Sequence, residues 1–391
     1  MADRRVIVPE TKETVYHLPT ILQNATELKA SDIHIEPGQT SFRIRIRIDG
    51  RMQISDEGPM TEHAPLINRL KILCGMDITE KRIPQDGGFT EHFDGHPVDF
   101  RVSVVPVADG EKAAIRILDD RAIDLDYQSL GICKSHWERL VHFIEAKYGL
   151  LVFTGPTGSG KTTTMYTLLK RLNRTHRHII TLEDPVEYRL DGVNQIRVNE
   201  RVGLTFASGL RAILRQDPEV IMVGEIRDTQ TAEIAVRAAI TGHLVLTTLH
   251  TNDSHAAVTR LMDMGIEPYL IAASLSGVCS QRLVRKLCSC KTPRPVTPAE
   301  EALFTGAQVE IPSQLYEKNG CEHCRGGFSG RTALTEVLPV SESLRDGILA
   351  AEATKKLKTR TPDFSTLLQD GLRKAAAGET TLGEIVDAVR E

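Results

Sequence analysis

The segment Gly155-Pro156-Thr157-Gly158-Ser159-Gly160-Lys161-Thr162 fits the pattern G-x-x-x-x-G-K-[ST] at every fixed position. Glycines let backbone amides turn inward around phosphate oxygens. A helix-forming run, Thr163–Leu172, follows, and such a helix offers free N–H groups and the positive end of its dipole to an anion. Lys161 is placed to reach the β- and γ-phosphates of a nucleoside triphosphate, and the Thr162 hydroxyl to ligate Mg²⁺; Thr163 continues the cradle. Hydrolysis further requires carboxylates for the metal shell and a group that positions water. Glu183 and Asp184 follow the apolar run Ile179–Leu182, and Glu225 follows Ile221–Val223 and Gly224. Ligand groups gather at the carboxyl ends of strands in α/β sheets, where these acids fall; the alternative for each is a loop carboxylate paired with an arginine. His243 and His250 flank the run Leu244–Thr248, a placement that suits a phosphate-contacting or switching role or a structural one.

A second constellation lies later. Cys288-Ser289-Cys290 and Cys321-Glu322-His323-Cys324 are two close cysteine pairs thirty residues apart. Four thiolates in two pairs are the donor set of a closed structural Zn²⁺ site. His323 is an alternative fourth donor. The first pair has one intervening residue rather than two, and so lacks the turn that usually aims backbone amides at the sulfurs. The remaining reading is reduced buried cysteine, which is assumed for Cys74, Cys133 and Cys279.

The elements that must hold these groups follow from periodicity. From Gly149 onward, short apolar runs (Leu150–Thr154, Ile179–Leu182, Val220–Val223, Leu244–Thr248) alternate with helical segments (Lys161–Asn173, Phe206–Arg215, Thr231–Ile240, Ser254–Met264). Buried strands between helices indicate a doubly wound parallel sheet. Before it, residues 1–118 read as a mixed α/β domain. His17–Ala30 has helical spacing, Ser31–Glu36 is a strand, and in Ser41–Ile48 apolar residues alternate with Arg43, Arg45 and Arg47. Asp49-Gly50 signals a hairpin. Thr61–Cys74 reads as a helix with Thr61 as N-cap, and Val98–Val105 and Lys112–Ile117 as strands. The expected divisions are 1–118, a linker at 119–137, an ATPase domain at 138–287, the cysteine module at 288–330 and a helical region at 331–391.

The bulk properties agree with a globular protein. The 391 residues are 41% hydrophobic and 26% charged, with a net charge of −4 and 5% aromatics. That balance argues against a broad nucleic-acid surface, which needs a basic excess and stacking aromatics. No run approaches the roughly 20 apolar residues of a membrane span. The charged start, Met1–Glu13, has no signal-peptide character, so a cytoplasmic location is expected.

With these motifs in order, the chain resembles the secretion ATPases of type II secretion and type IV pilus assembly, the GspE/PilB group. The resemblance rests on Ser31-Asp-Ile-His-Ile-Glu-Pro37, Arg47-Ile-Asp-Gly50, Arg82-Ile-Pro-Gln-Asp-Gly87, Asp99-Phe-Arg-Val-Ser103, the phosphate loop, Thr181-Leu-Glu-Asp-Pro-Val-Glu187, Leu214-Arg-Gln-Asp-Pro218 through Gly224-Glu-Ile-Arg-Asp228, and Thr241–Asn252. It implies a RecA-like P-loop domain behind a PAS-like α/β domain, with a zinc-binding and helical module after it. It implies that Glu183 activates water, that Glu225 holds the Mg²⁺ shell, and that His243 and His250 sense the γ-phosphate. It implies that Arg101 and Arg116 are carried to the γ-phosphate, and that Cys288, Cys290, Cys321 and Cys324 bind zinc. A homohexamer acting on an inner-membrane platform protein, at the cytoplasmic face of that membrane, also follows from it. Arg43, Arg45 and Arg47 are left as an exposed face or a subunit contact. About thirty residues precede Ser31, so the extra N-terminal docking domain of larger members is expected to be missing. The alternatives are a DNA-translocating P-loop ATPase, a pilus retraction motor and a nucleotide-binding scaffold that does not hydrolyse.

Overall fold

The computed structural model describes residues 17–119 and 126–390; Met1–Glu13 and the middle of the expected linker lie outside them. Two compact units form, Met1–Arg121 and Ala122–Glu391.

In the first unit, helix α1 (Leu18–Glu27) buries Leu18, Leu22 and Ala25 along one face. Strands β1 (Asp32–Glu36), β2 (Ser41–Ile48) and β3 (Arg51–Pro59) follow, then α2 (Met60–Leu73), β4 (Gln85–Phe93), β5 (His96–Val107) and β6 (Gly110–Leu118). Asp49 and Gly50 both take positive φ, which closes the β2–β3 hairpin as expected of this pair. Helix α2 does not begin at Thr61. Its N-cap is Pro59, in an extended conformation and with no side-chain cap, because the proline's fixed φ already turns β3 into the helix. The sheet is antiparallel, in the order β3-β2-β1-β6-β5-β4. Phe42, Ile44, Ile46 and Ile48 alternate inward and share one core with both helices.

The opposite face is a charged ladder. Glu36 on β1 meets Arg45 at 2.7 Å, Lys112 at 3.1 Å and Arg43 at 3.8 Å; Asp32 meets Arg47 at 3.3 Å and Arg116 at 3.5 Å. The alternating arginines are therefore cross-strand ion-pair partners rather than a merely solvated row.

The second unit runs α3 (Tyr127–Leu130), α4 (Lys134–Glu145), β7 (Gly149–Thr154), α5 (Lys161–Leu172), β8 (Ile179–Glu183), β9 (Asn194–Arg197), α6 (Phe206–Ile213), β10 (Val220–Val223), α7 (Thr229–Ile240), β11 (Leu244–Leu249), α8 (Ser254–Asp263), α9 (Pro268–Ser274) and β12 (Leu275–Leu287). An excursion with β13 (Thr292–Arg294), α10 (Pro298–Gly306) and β14 (Leu315–Glu317) leads to β15 (Phe328–Pro339), α11 (Glu342–Leu349), α12 (Thr354–Thr359), α13 (Leu367–Ala376) and α14 (Leu382–Arg390). The seven-stranded sheet has the order β15-β12-β7-β11-β10-β8-β9; every pair is parallel except β12–β15. Strands β7, β8, β10 and β11 are buried at every residue, as strands covered on both faces must be. Separate apolar cores fill the two faces. Strand β15 pairs with β12 over nearly its whole length, so the cysteine excursion is the far end of a hairpin rooted in the main sheet. This is the α/β architecture that the alternating runs predict.

Candidate functional site

The phosphate loop leaves the carboxyl end of β7 and enters α5. Gly155, Gly158 and Gly160 have φ of 143°, 78° and 84°, a region that side chains rarely enter. Space is decisive at two of them. A Cβ on Gly155 would lie 2.4 Å from the Gln281 carbonyl oxygen, and one on Gly160 2.7 Å from Gln281 Nε2. Helix α5 has Gly160 as N-cap and no side-chain cap, so Thr162 and Thr163 lie in an uncapped first turn. Ser159 Oγ, buried between the glycines, has no hydrogen-bond partner among the described residues. Pro156, Thr157 and Gly158 are exposed at the rim. A cradle that excludes Cβ atoms, an orphaned buried hydroxyl and open helix amides fit a bound phosphate chain.

Lys161 folds back onto its own loop, donating to the carbonyls of Gly155 at 2.7 Å and Pro156 at 2.9 Å. Burial, and then the nearby Arg282 charge, bring its ammonium down to about 8, against the pull of Glu225. Strand β12 backs the loop. Gln281 donates to the Ser159 carbonyl at 2.8 Å and accepts from Thr164 at 2.9 Å; Arg282 reaches the Asn252 carbonyl at 2.9 Å. No sequence signal marked Gln281 or Arg282, because they lie some 120 positions from the loop they support.

Glu225 sits just past β10, ion-paired to Arg227 at 2.5 Å and with His250 Nε2 3.4 Å away. Partial burial works to raise its carboxyl, but Arg227 and then His250 outweigh that and hold it low. Arg227 also lies 3.8 Å from Asp184. The hydroxyl of Thr248 donates to the Gly224 carbonyl at 2.7 Å and that of Thr154 to the Thr251 carbonyl at 2.9 Å, which ties the carboxyl ends of β7, β10 and β11 together. Glu183, the last residue of β8, is buried; Thr181 at 2.5 Å, the Tyr166 hydroxyl and Gln195 at 3.2 Å all donate to it. Burial raises its carboxyl despite these bonds.

Not every expected residue joins this group. His243 precedes β11 and hydrogen-bonds the Ala238 carbonyl at 3.0 Å. Six strand residues separate it from His250, roughly 20 Å at 3.3 Å per residue. The two histidines thus cap opposite ends of one strand, and only His250 reaches the acids. Arg101 and Arg116 stand opposite each other in the β5–β6 register of the first unit, on its charged face.

The four late cysteines converge. Cys288 and Cys321 sulfurs are 3.8 Å apart, Cys290 and Cys324 sulfurs 3.7 Å. Ligands about 2.3 Å from a tetrahedral zinc stand about 3.8 Å from one another, so the donor set fits that ion. The one backbone N–H that meets a sulfur of this group among the described residues is that of Cys321, 3.3 Å from Cys324 in the wider pair. His323 is 83% exposed on its side chain and takes no part.

The family described as "Type II/IV secretion system protein" matches residues 10–387. The Type II secretion system protein E of Dickeya dadantii is 45% identical over 95% of this chain and 74% of its own length. The type IV pilus assembly ATPase PilB of Myxococcus xanthus is 44% identical over 94% of this chain and 66% of its own. Among solved structures, the pilus retraction motor PilT with bound ADP superposes with a TM-score of 0.66 at 29% identity, covering 95% of this chain and 96% of that one. Matched over nearly its whole length and this similar to such relatives, the chain belongs to the Type II/IV secretion system protein family.

Proposed function

We propose that this chain is a Mg²⁺-dependent ATPase motor that drives assembly of a type IV pilus or a pilin-like secretion machine. The observation that carries the reading is the phosphate cradle itself: an uncapped helix start, Cβ-excluding glycines and a buried lysine resting on neutral carbonyls, with Glu225 beside it. Gly155 to Thr163 hold the triphosphate, and Thr162 supplies the metal's hydroxyl ligand. A bound Mg²⁺ would supply neutralisation of the charge that develops on the phosphoryl oxygens. Glu225 would hold the Mg²⁺ shell, and His250, 3.4 Å from that carboxylate, would sense the γ-phosphate. Glu183, a carboxylate raised by burial, accepts a proton from the attacking water, and Thr181 and Tyr166 fix its position. His243, at the other end of β11, is left out of this constellation.

The four cysteines hold a structural zinc that clamps the tip of the β12–β15 hairpin. The reading includes a homohexamer, an inner-membrane platform protein as partner and the cytoplasmic face of that membrane as location, each carried over from the resemblance. No helix among the described residues is long and apolar enough to cross a membrane. Retraction motors share the architecture, but the cysteine module favours assembly or export.

The test is the ATPase rate across a gel-filtration profile, with wild type beside Glu225→Gln. Turnover confined to a hexamer-sized peak, and reduced about 100-fold or more in a variant that still binds nucleotide, is expected. Near-normal turnover in Glu225→Gln would remove that residue from the metal shell, and turnover in a monomer peak would remove the ring.

A further inference from the structure

A third group of donors lies away from both the phosphate loop and the four cysteines. Cys133, His136 and Asp370 place one ligand atom each within 4.8 Å of one another. Cys133 is the N-cap of α4 and His136 sits in its first turn, so the spacing Cys-Lys-Ser-His puts sulfur and imidazole on one side of the helix start. Asp370 arrives from the first turn of α13, more than two hundred residues later. Both His136 and Asp370 are 2% exposed, while Cys133 is half-buried.

We propose that Cys133, His136 and Asp370 form a second zinc site with one open coordination position. The surroundings are those of a metal site rather than of an idle polar cluster. His136 Nδ1 meets the Thr335 hydroxyl at 2.9 Å, which fixes the ring and leaves Nε2 for an ion. Asp370 Oδ2 accepts from the Thr335 backbone N–H at 2.9 Å and from Lys374 at 2.8 Å, which fixes the carboxylate and leaves Oδ1. Lys374 also donates to the carbonyls of Gly131 and Ala333, so it is anchored in place and does not compete for the centre. One sulfur, one nitrogen and one oxygen are a donor set that suits zinc and not magnesium or calcium. A thiolate and Asp370 bring two negative charges to a divalent ion, and Lys374, Arg139 and Arg373 stand around the group. Tetrahedral ligands at about 2.0–2.3 Å stand about 3.3–3.8 Å apart, so rotamer shifts of roughly an ångström or so close the three around an ion.

The group opens into a cavity of about 620 Å³ that Gln128, Arg139 and Arg373 also line. Three protein ligands facing a roomy polar cavity leave the fourth position to water or to a small anion, which the two arginines attract. Cys133 is thus distinguished from Cys279, which is wholly buried on β12.

The experiment measures zinc per full-length chain by elemental analysis, for wild type, Cys133→Ser, His136→Ala and Cys321→Ser. Two equivalents in wild type and about one in each variant are expected, the two sites emptying independently. If the four-cysteine site fails to hold metal, wild type carries one equivalent, and only Cys133→Ser and His136→Ala lose it. Zinc content unchanged by Cys133→Ser, with circular dichroism showing a folded chain, overturns the second site. Should His136→Ala unfold, the Co²⁺-substituted chains decide. The thiolate-to-cobalt absorption of wild type must fall in the conservative Cys133→Ser, and an identical spectrum refutes the proposal.

Discussion

Two regions of this protein concentrate positive charge, and they hold it in opposite ways. On the six-stranded sheet of the first unit, Arg43, Arg45, Arg47, Lys112 and Arg116 lean on the carboxylates of Glu36 and Asp32. In the phosphate loop, Lys161 rests on two backbone carbonyls and is 8% exposed. A cation paired with carboxylates is already compensated and gains little from a second anion. A buried cation on neutral dipoles is under-compensated, and its ammonium falls to about 8 for that reason. A phosphate chain that reaches Lys161 therefore recovers electrostatic energy that the fold has withheld. One that reaches Arg116 must compete with Asp32. The loop is built to bind, whereas the sheet face is built to be stable and to give up its arginines only against competition.

The largest break in this comparison comes from deleting the under-compensated cation. Lys161→Ala should lower ATP turnover by at least about 100-fold, the order seen when one preorganised transition-state donor is lost. It should leave thermal stability equal to or above wild type, since burial of a poorly compensated charge opposes folding. Calorimetric melting beside a phosphate-release assay checks both halves. A variant that loses stability as steeply as activity would show that Lys161 braces the loop instead of waiting for phosphate.

A sharper form uses pH. With the unliganded ammonium near 8 and phosphate raising it on binding, affinity is flat below about pH 8. Above that pH, binding must take up a proton, and Kd should rise about tenfold per unit. Lys161→Arg keeps its charge throughout and should flatten the slope. Titration of ADP between about pH 7 and 9.5 reads this directly; a flat wild-type curve would mean that the lysine enters the complex already compensated.

Legibility from sequence divides along the same line. The loop was readable in full, since glycines that need positive φ and a lysine at fixed spacing are local requirements. Glu225 and His250 were readable as strand-end residues, and the structure brings them together. His243 shared the same strand-end argument and is carried away from the acids, because a strand has two ends and period alone does not say which faces the ligand. Gln281 and Arg282, which back the loop, were invisible, as was the Glu36 network, whose partners come from β2 and β6. Such pairings are properties of sheet order, and sheet order is not written in any one strand. Strand β4 was also missed: Gln85–Phe93 carries two adjacent glycines, and its burial alternates only between exposed and half-buried. Strand β15 was unread because its partner β12 is separated from it by the forty-residue cysteine excursion.

The smallest effect is expected on the compensated side. Glu36 is 9% exposed and serves three cations. Burial alone would raise its carboxyl, but the hydrogen bonds from Arg45 and Lys112 prevail and hold it below the ordinary carboxylate range. Glu36→Gln keeps the shape and removes the charge that the three cations share. The cost should be about 1–2 kcal/mol, above an isolated surface pair and below a fully buried one. The sign with pH follows from the lowered carboxyl. Its contribution is fully present above the unfolded value of about 4.3 and is lost as pH falls through the lower folded value. Urea unfolding at about pH 6.5 and again at the lowest pH where the chain stays folded should show the gap between wild type and variant narrowing as protons bind. A gap that widens toward low pH, or one absent at neutral pH, would mean that the arginine face is held by its solvent and its apolar stems, and the contrast with Lys161 would then rest on burial alone.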